Sequence, residues 1–367
     1  MLDEDDLDAA VAEGIVTPAQ VEALRAFVGS RRHAAERADD ERFRFMRGFN
    51  DFFFAVGIVL FAIGIAFFAG VDPIMNLLAA GLIWALAELL VRRMRLVLPG
   101  ILLAGLFAFF VFRLTELDWS HIAQLTGLPL RPPARLASSP VLGSLEPIAI
   151  ATKALVTGLA AAAFYARFRL PFALLLIAAS LVVLVSTVFG SILFPGVVTP
   201  SLILLACGLG VFATAMVYDL SDRMRTTRAA DCAFWLHLLA APLTVHSLIR
   251  LIVPATGAAP FGVTMTAMSA AAIFVIVALL TAVAVLIDRR ALLVSALTYL
   301  GIAIGYALTS AIRTDTGNQP AVFFATFVIL GLMVLALGVG WQPLRRLFLR
   351  LFPSDLVNRL PPAVSPA

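Results

Sequence analysis

Ten stretches of the chain are almost continuously apolar over the length that a membrane helix needs. They cover residues 52–70, 73–91, 96–112, 148–166, 170–189, 198–218, 230–253, 264–287, 292–312 and 320–340. About 20 apolar residues, rising 1.5 Å each, cross a hydrocarbon core of about 30 Å. Each stretch therefore predicts a transmembrane helix. None shows the short polar–apolar alternation of a membrane barrel strand. The polar residues between the runs are also ordered. Of 27 Lys and Arg, 21 fall before the first run, in alternate turns or after the last run. Five arginines fall on the other side, and Lys153 lies inside a run. Basic residues mark the cytoplasmic side of a membrane protein, so both termini are expected in the cytoplasm. The fold class that follows is all-α: a polytopic membrane bundle of about ten helices, residues 48–342. A polar segment, 1–47, precedes it and a cytoplasmic tail, 343–367, follows it.

The segment before the first run has its own pattern. Asp3 to Glu13 reads as a short acidic helix ended by Gly14. Thr17, Pro18 and Gln20 then make a capping box with proline at the first helical position. Val21, Leu24, Phe27 and Val28 give the second helix one apolar stripe. The expected result is a cytoplasmic helical hairpin. Residues 1–28 hold seven acids against Arg25, which argues against nucleic acid as a partner. Residues 42–49 alternate arginine with phenylalanine and methionine, as suits an anchor at the headgroup layer. The segment lacks the form of a signal peptide.

Gly14-Ile15-Val16-Thr17-Pro18-Ala19-Gln20 and the block from Asp231 to His246 (Asp-Cys-Ala-Phe-Trp-Leu-His-Leu-Leu-Ala-Ala-Pro-Leu-Thr-Val-His) carry a resemblance. With the general layout, they resemble a class of uncharacterised proteobacterial multi-pass inner-membrane proteins with a short N-terminal hairpin. The resemblance implies the inner membrane of a Gram-negative bacterium. It carries over no activity, substrate or catalytic residue.

Polar residues inside apolar runs need a reason, because a charge at a helix centre costs about 2.5–3.5 kcal/mol on insertion scales. Lys153, the single lysine, lies about 6 Å outward of the middle of its run at 1.5 Å per residue. His246 and Tyr306 have a similar offset in theirs, and Asn76 also lies on the outer side. Arg250 is one turn beyond His246 on the same face. These residues are candidates for a polar cavity open to the periplasm, fit for a small anionic solute or a lipid headgroup. The alternative is that Lys153 snorkels and the others make ordinary interhelical hydrogen bonds. His237 and Tyr299 are secondary candidates. His237 and His246 are nine residues apart, on opposite helix faces, so they do not form an i, i+4 metal site. His237 is expected to bond a neighbouring helix. Glu88 and Arg92 form an i, i+4 pair. Gly301 and Gly305 are a GxxxG pair expected in helix packing, beside a polar stripe of Ser295, Tyr299, Tyr306, Ser310 and Arg313. Residues 116–147 form the one long outer connection: Glu116–His121 fits the start of a short interfacial helix with Trp119 at the headgroups, the proline-rich rest is expected to be irregular, and the whole reads as a lid or a tether.

Composition then narrows the function classes. The chain is 61% hydrophobic and 14% charged, against about 25% charged in a typical globular domain. That rules out a soluble enzyme. Cys207 and Cys232 lie in apolar runs and imply no disulfide framework. There is no P-loop, HExxH or GxSxG, and no motif calls for a cofactor or metal. Carboxylates are scarce in the middle of the runs, which weakens a proton-coupled carrier. Enzyme activity is thus the less expected class. Three readings remain. The first is a permease-like protein. The second is a structural or regulatory protein docking a partner through residues 1–47. The third is a lipid-modifying enzyme with His246 as base.

Overall fold

The computed structural model describes residue 11 and residues 13–23, 26–27, 49–70, 72–114, 140–194, 199–222, 225, 227–252, 266–312 and 319–353. Among them there is no strand. Ten long helices follow in chain order: α1 (Phe49–Ala69), α2 (Pro73–Ala87), α3 (Val97–Leu114), α4 (Pro140–Phe168), α5 (Pro171–Thr187), α6 (Pro200–Ser221), α7 (Arg228–Ile252), α8 (Ala267–Ile287), α9 (Ala291–Ile312) and α10 (Gln319–Leu349). Each matches one apolar run. Among the described residues, nine are long and apolar enough to cross a membrane. The remaining helix, α9, has 22 residues, and its described apolar part runs Tyr299–Ala311. The molecule is an all-α polytopic membrane bundle.

Local chemistry sets the helix starts. Asp72 caps α2 by accepting from the amides of Ile74 (2.8 Å) and Met75 (3.0 Å), with Pro73 at the first position. Thr266 and Ser269 cap α8 reciprocally. In the N-terminal segment the Thr17–Gln20 capping box forms as read, with Thr17 N to Gln20 Oε1 at 2.9 Å and Gln20 N to Thr17 Oγ1 at 3.3 Å. Gly14 there takes φ +71°, the left-handed conformation that glycine adopts without strain. Val21 is buried but Phe27 is exposed, so the stripe is not continuous; Leu24 and Val28 lie outside the described residues.

Four boundaries differ from the pattern. α4 begins at Pro140, so residues 140–147 are helical rather than part of an irregular connection. A proline at the first position loses no helical hydrogen bond, and this allows the early start. Residues 115–139 lie outside the described residues. α10 runs through Pro343 to Leu349, past the end expected at residue 340. Trp341 and Arg345 on this extension are fully buried, which gives the extra turns a packing role. Finally, α2 and α5 end in π-helical turns, Glu88–Arg93 and Val188–Leu193.

Three apolar clusters make the interior. Ile83, Leu103, Phe110 and Phe164 centre one among α1–α5, lined by Trp84, which meets Phe107 and Phe168 edge to face. Val245, Ile249, Ile273 and Ala303 centre a second among α7, α8 and α9. Ala241, Ala284, Leu292 and Trp341 centre a third, at the end where the arginine-rich turns lie. Helix α7 runs between the clusters. More than half of its most apolar stretch is buried inside the protein, against 39% or less for the eight other helices long and apolar enough to cross a membrane among the described residues. Its contact with α6 is close: a Cβ on Gly208 would lie 2.9 Å from Thr244 Cγ2 and 3.0 Å from Leu243 Cβ. Small residues permit such approach in a membrane, where burial of apolar surface drives little association. The Gly301–Gly305 face packs on α10, towards Leu330 and Thr326. The outward faces are apolar, as with Phe324, Leu335 and Val339 on α10, and suit a lipid bilayer.

Candidate functional site

Two sets of polar side chains lie along α7, on either side of Pro242. The first level lies towards the arginine-rich turns. Asp219, near the end of α6, accepts a 2.8 Å hydrogen bond from His237 Nε2 of α7. Arg289, in the turn between α8 and α9, reaches the same carboxylate. Its Nε lies 3.1 Å from both oxygens, its Nη2 bonds Oδ1, and Nη2 also lies 3.3 Å from the Ala230 carbonyl. All three side chains are buried, and Phe212 sets its ring edge against His237. His237 Nδ1 is buried without a hydrogen-bond partner among the described residues.

A second ionic group adjoins it. Asp288 caps α8 in a left-handed conformation, φ +58°. Its carboxylate accepts from Trp341 Nε1 (2.7 Å) and Arg225 Nη1 (3.3 Å), with Arg345 Nη1 at 3.7 Å. Arg225 also donates to the carbonyls of Ile287 (3.1 Å) and Asp288 (2.9 Å). The turns after α6 and α8 are thereby tied to the end of α10. Charges out of water need opposite charges close by, and Arg225 and Arg345 both have the Asp288 carboxylate within 4 Å.

The second level lies beyond Pro242, nine residues or roughly 14 Å from His237. There His246 Nδ1 and the hydroxyl of Tyr299, from α9, share a hydrogen bond. Tyr299 is buried and His246 half-buried. Arg250, half-buried, is near enough to act electrostatically on both. Tyr306 packs against the same apolar cluster two turns along α9.

The other cavity candidates have different surroundings. Lys153 is half-buried, with Nζ 5.1 Å from the centre of the Phe112 ring, a cation–π contact with α3. Asn76 is fully buried. Its Nδ2 donates to the carbonyls of Asp72 (2.7 Å) and Gly70 (3.3 Å), while Oδ1 has no partner among the described residues. Arg113 Nη2 also donates to the Gly70 carbonyl, at 2.5 Å. These two candidates thus contact α1–α3, whereas His246, Tyr299, Arg250 and Tyr306 belong to α7 and α9. Glu88 bonds Arg92 (3.4 Å) as read, and more closely Arg167 of α4, at 2.6 and 3.0 Å. Arg313 lies outside the described residues.

The sequence pattern singles out His237 as an interhelical residue but does not reveal its partners. Asp219 stands one position past the end of its apolar run, and Arg289 counts in the pattern only as a topology marker. A carboxylate at the last turn of a run, opposite a histidine in the next run, is the signal that could have found them. No cluster of His, Cys, Asp and Glu suited to a metal ion occurs among the described residues. No family model, curated protein or solved structure matches the chain.

Proposed function

We propose that the protein is a permease-like carrier of a small anionic solute, with α7 as the polar wall of its path. The observation that supports this reading is the burial of α7 together with its polar groups at two levels. A helix that only filled the bundle would be as buried but could be apolar throughout. Arg250, His246 and Tyr299 offer a cation and hydrogen-bond donors, the chemistry an anion requires. The Asp219–His237–Arg289 group closes the other end of the same helix. A solute passing along α7 has to meet that group, so its opening is the gating event. Pro242 lies between the two levels, where its missing N–H lets the helix bend.

Orientation belongs to the same proposal. The arginine-rich turns face the cytoplasm of a bacterial inner membrane and the His246 level faces the periplasm. Passage through the bundle follows from helices α1–α10, not from residues 1–47, so the hairpin is dispensable for flux.

The test is uptake into proteoliposomes of a panel of radiolabelled mono- and dicarboxylates and phosphate esters. Saturable uptake of at least one anion above protein-free vesicles is expected, and His246→Ala should lower it about tenfold, the effect of roughly 1.4 kcal/mol. A panel that never exceeds protein-free leakage, or uptake that His246→Ala leaves unchanged, would refute the reading.

A further inference from the structure

A cavity of about 840 Å³ opens at the arginine-rich end of the bundle, away from the α7 levels just described. It lies where the turn between α2 and α3, the turn between α4 and α5 and the start of α7 meet. Its charged lining residues are Arg92, Arg95, Arg169, Arg228 and Asp231. Arg228 begins α7, so the cavity lies about 27 Å along that helix from His246, at 1.5 Å per residue.

The charge is not balanced from within. Arg92 is paired with Glu88, which lies outside the lining. Arg95, Arg169 and Arg228 are exposed and form no ion pair among the described residues. Asp231 is one carboxylate against these three guanidinium groups. Like charges gathered around one space repel unless an anion occupies it. Arg95 and Arg169 also hold left-handed backbone, φ +57° and +53°, at positions where glycine would be free of strain. Both turns thus carry arginine where backbone preference disfavours it.

The remaining wall is apolar and aromatic. Phe172 and Trp235 meet edge to face at 4.7 Å between ring centres, closing the side towards the bundle. The arginines stand where five helices leave their apolar spans, the level at which a surrounding bilayer would carry its phosphates. A guanidinium fork matches two phosphate oxygens, and arginine retains its charge at any physiological pH. We infer that this cavity binds a phosphate group through Arg95, Arg169 and Arg228. Two sources share that chemistry: the headgroup of an anionic phospholipid and a water-borne phosphate ester. This assignment does not depend on the α7 path.

The experiment uses delipidated full-length protein in neutral detergent. Native mass spectrometry follows titration with phosphatidylglycerol, with phosphatidylcholine as the zwitterionic control. Calorimetry follows titration with glycerol 3-phosphate. One saturable site for at least one of the two anionic probes is expected. Each Arg→Gln change at 95, 169 or 228 should weaken it about fivefold, and the triple variant about 100-fold. Arg93→Gln, in the same turn but outside the lining, should change it less than about twofold. Should the triple variant not fold, the single Arg228→Gln variant carries the same comparison. Phosphatidylglycerol binding without glycerol 3-phosphate binding identifies the lipid source. Binding of glycerol 3-phosphate with the same arginine dependence identifies the soluble one. Binding of either probe that is indifferent to the three arginines, binding equalled by phosphatidylcholine, no binding, or an equal loss in Arg93→Gln would overturn the assignment.

Discussion

At the scale of single residues, Asp219 is the position on which most depends. It takes His237 and Arg289 at once, with all three side chains out of water. Removing one member of a buried ion pair leaves the other charge uncompensated, which costs about 3–5 kcal/mol. Asp219→Ala should therefore destabilise the protein by that amount, read as a lower midpoint in graded denaturant unfolding in detergent. In Asp219→Leu with Arg289→Met the uncompensated charge is gone, and most of the loss should be recovered. A double variant as unstable as the sum of its singles would show that the two residues act separately. The sequence marks His237 as an interhelical residue, but its partners are not legible without the fold. Asp219 and Arg289 are 70 residues apart in the chain, and either alone reads as a charge at a membrane edge. The capping box of Thr17 and Gln20 is legible because its partners are three residues apart.

At the scale of elements, the apolar pattern places the helices because a bilayer leaves little choice. Every backbone N–H and C=O in hydrocarbon must be satisfied internally, so a long apolar run is a helix. Helix ends are less legible where proline obscures them. Pro140 starts α4 although the stretch around it reads as irregular, and α10 passes Pro343 because buried Trp341 and Arg345 hold its last turns in place. Packing between elements is legible at Gly301 and Gly305 as a motif, but not at Gly208, which stands in no such pair with a matching role. There the structure is stricter: the Thr244 amide nitrogen lies 3.1 Å from where a Cβ would be. Since backbone cannot move aside as a side-chain tip can, Gly208→Ala should cost about 1–3 kcal/mol, the usual range for overpacking. Gly210 has nothing within 4 Å of the place a methyl group would take, and should accept alanine without loss. Equal unfolding midpoints for the two variants would mean that α6 and α7 are not in this close contact.

At the scale of the whole molecule, the alternation of arginine with apolar run sets the weave of the chain, and the structure adds what lies inside it. The polar groups do not collect into one chamber shared by all the residues that depth alone associates. Depth along a helix says nothing about direction around it, which is why Lys153 turns to Phe112 and Asn76 to Gly70, while His246 turns to Tyr299. What the two polar levels have in common is one helix, α7. The path proposed along it runs from the Asp219–His237–Arg289 group to the His246 level. The most direct measurement places a cysteine at position 246 in a Cys207→Ser, Cys232→Ala background. A membrane-impermeant thiol reagent is then applied to sealed vesicles of each orientation. Modification is expected from the face opposite the arginine-rich turns. Modification from the arginine-rich face alone, or none from either face, would contradict the claim.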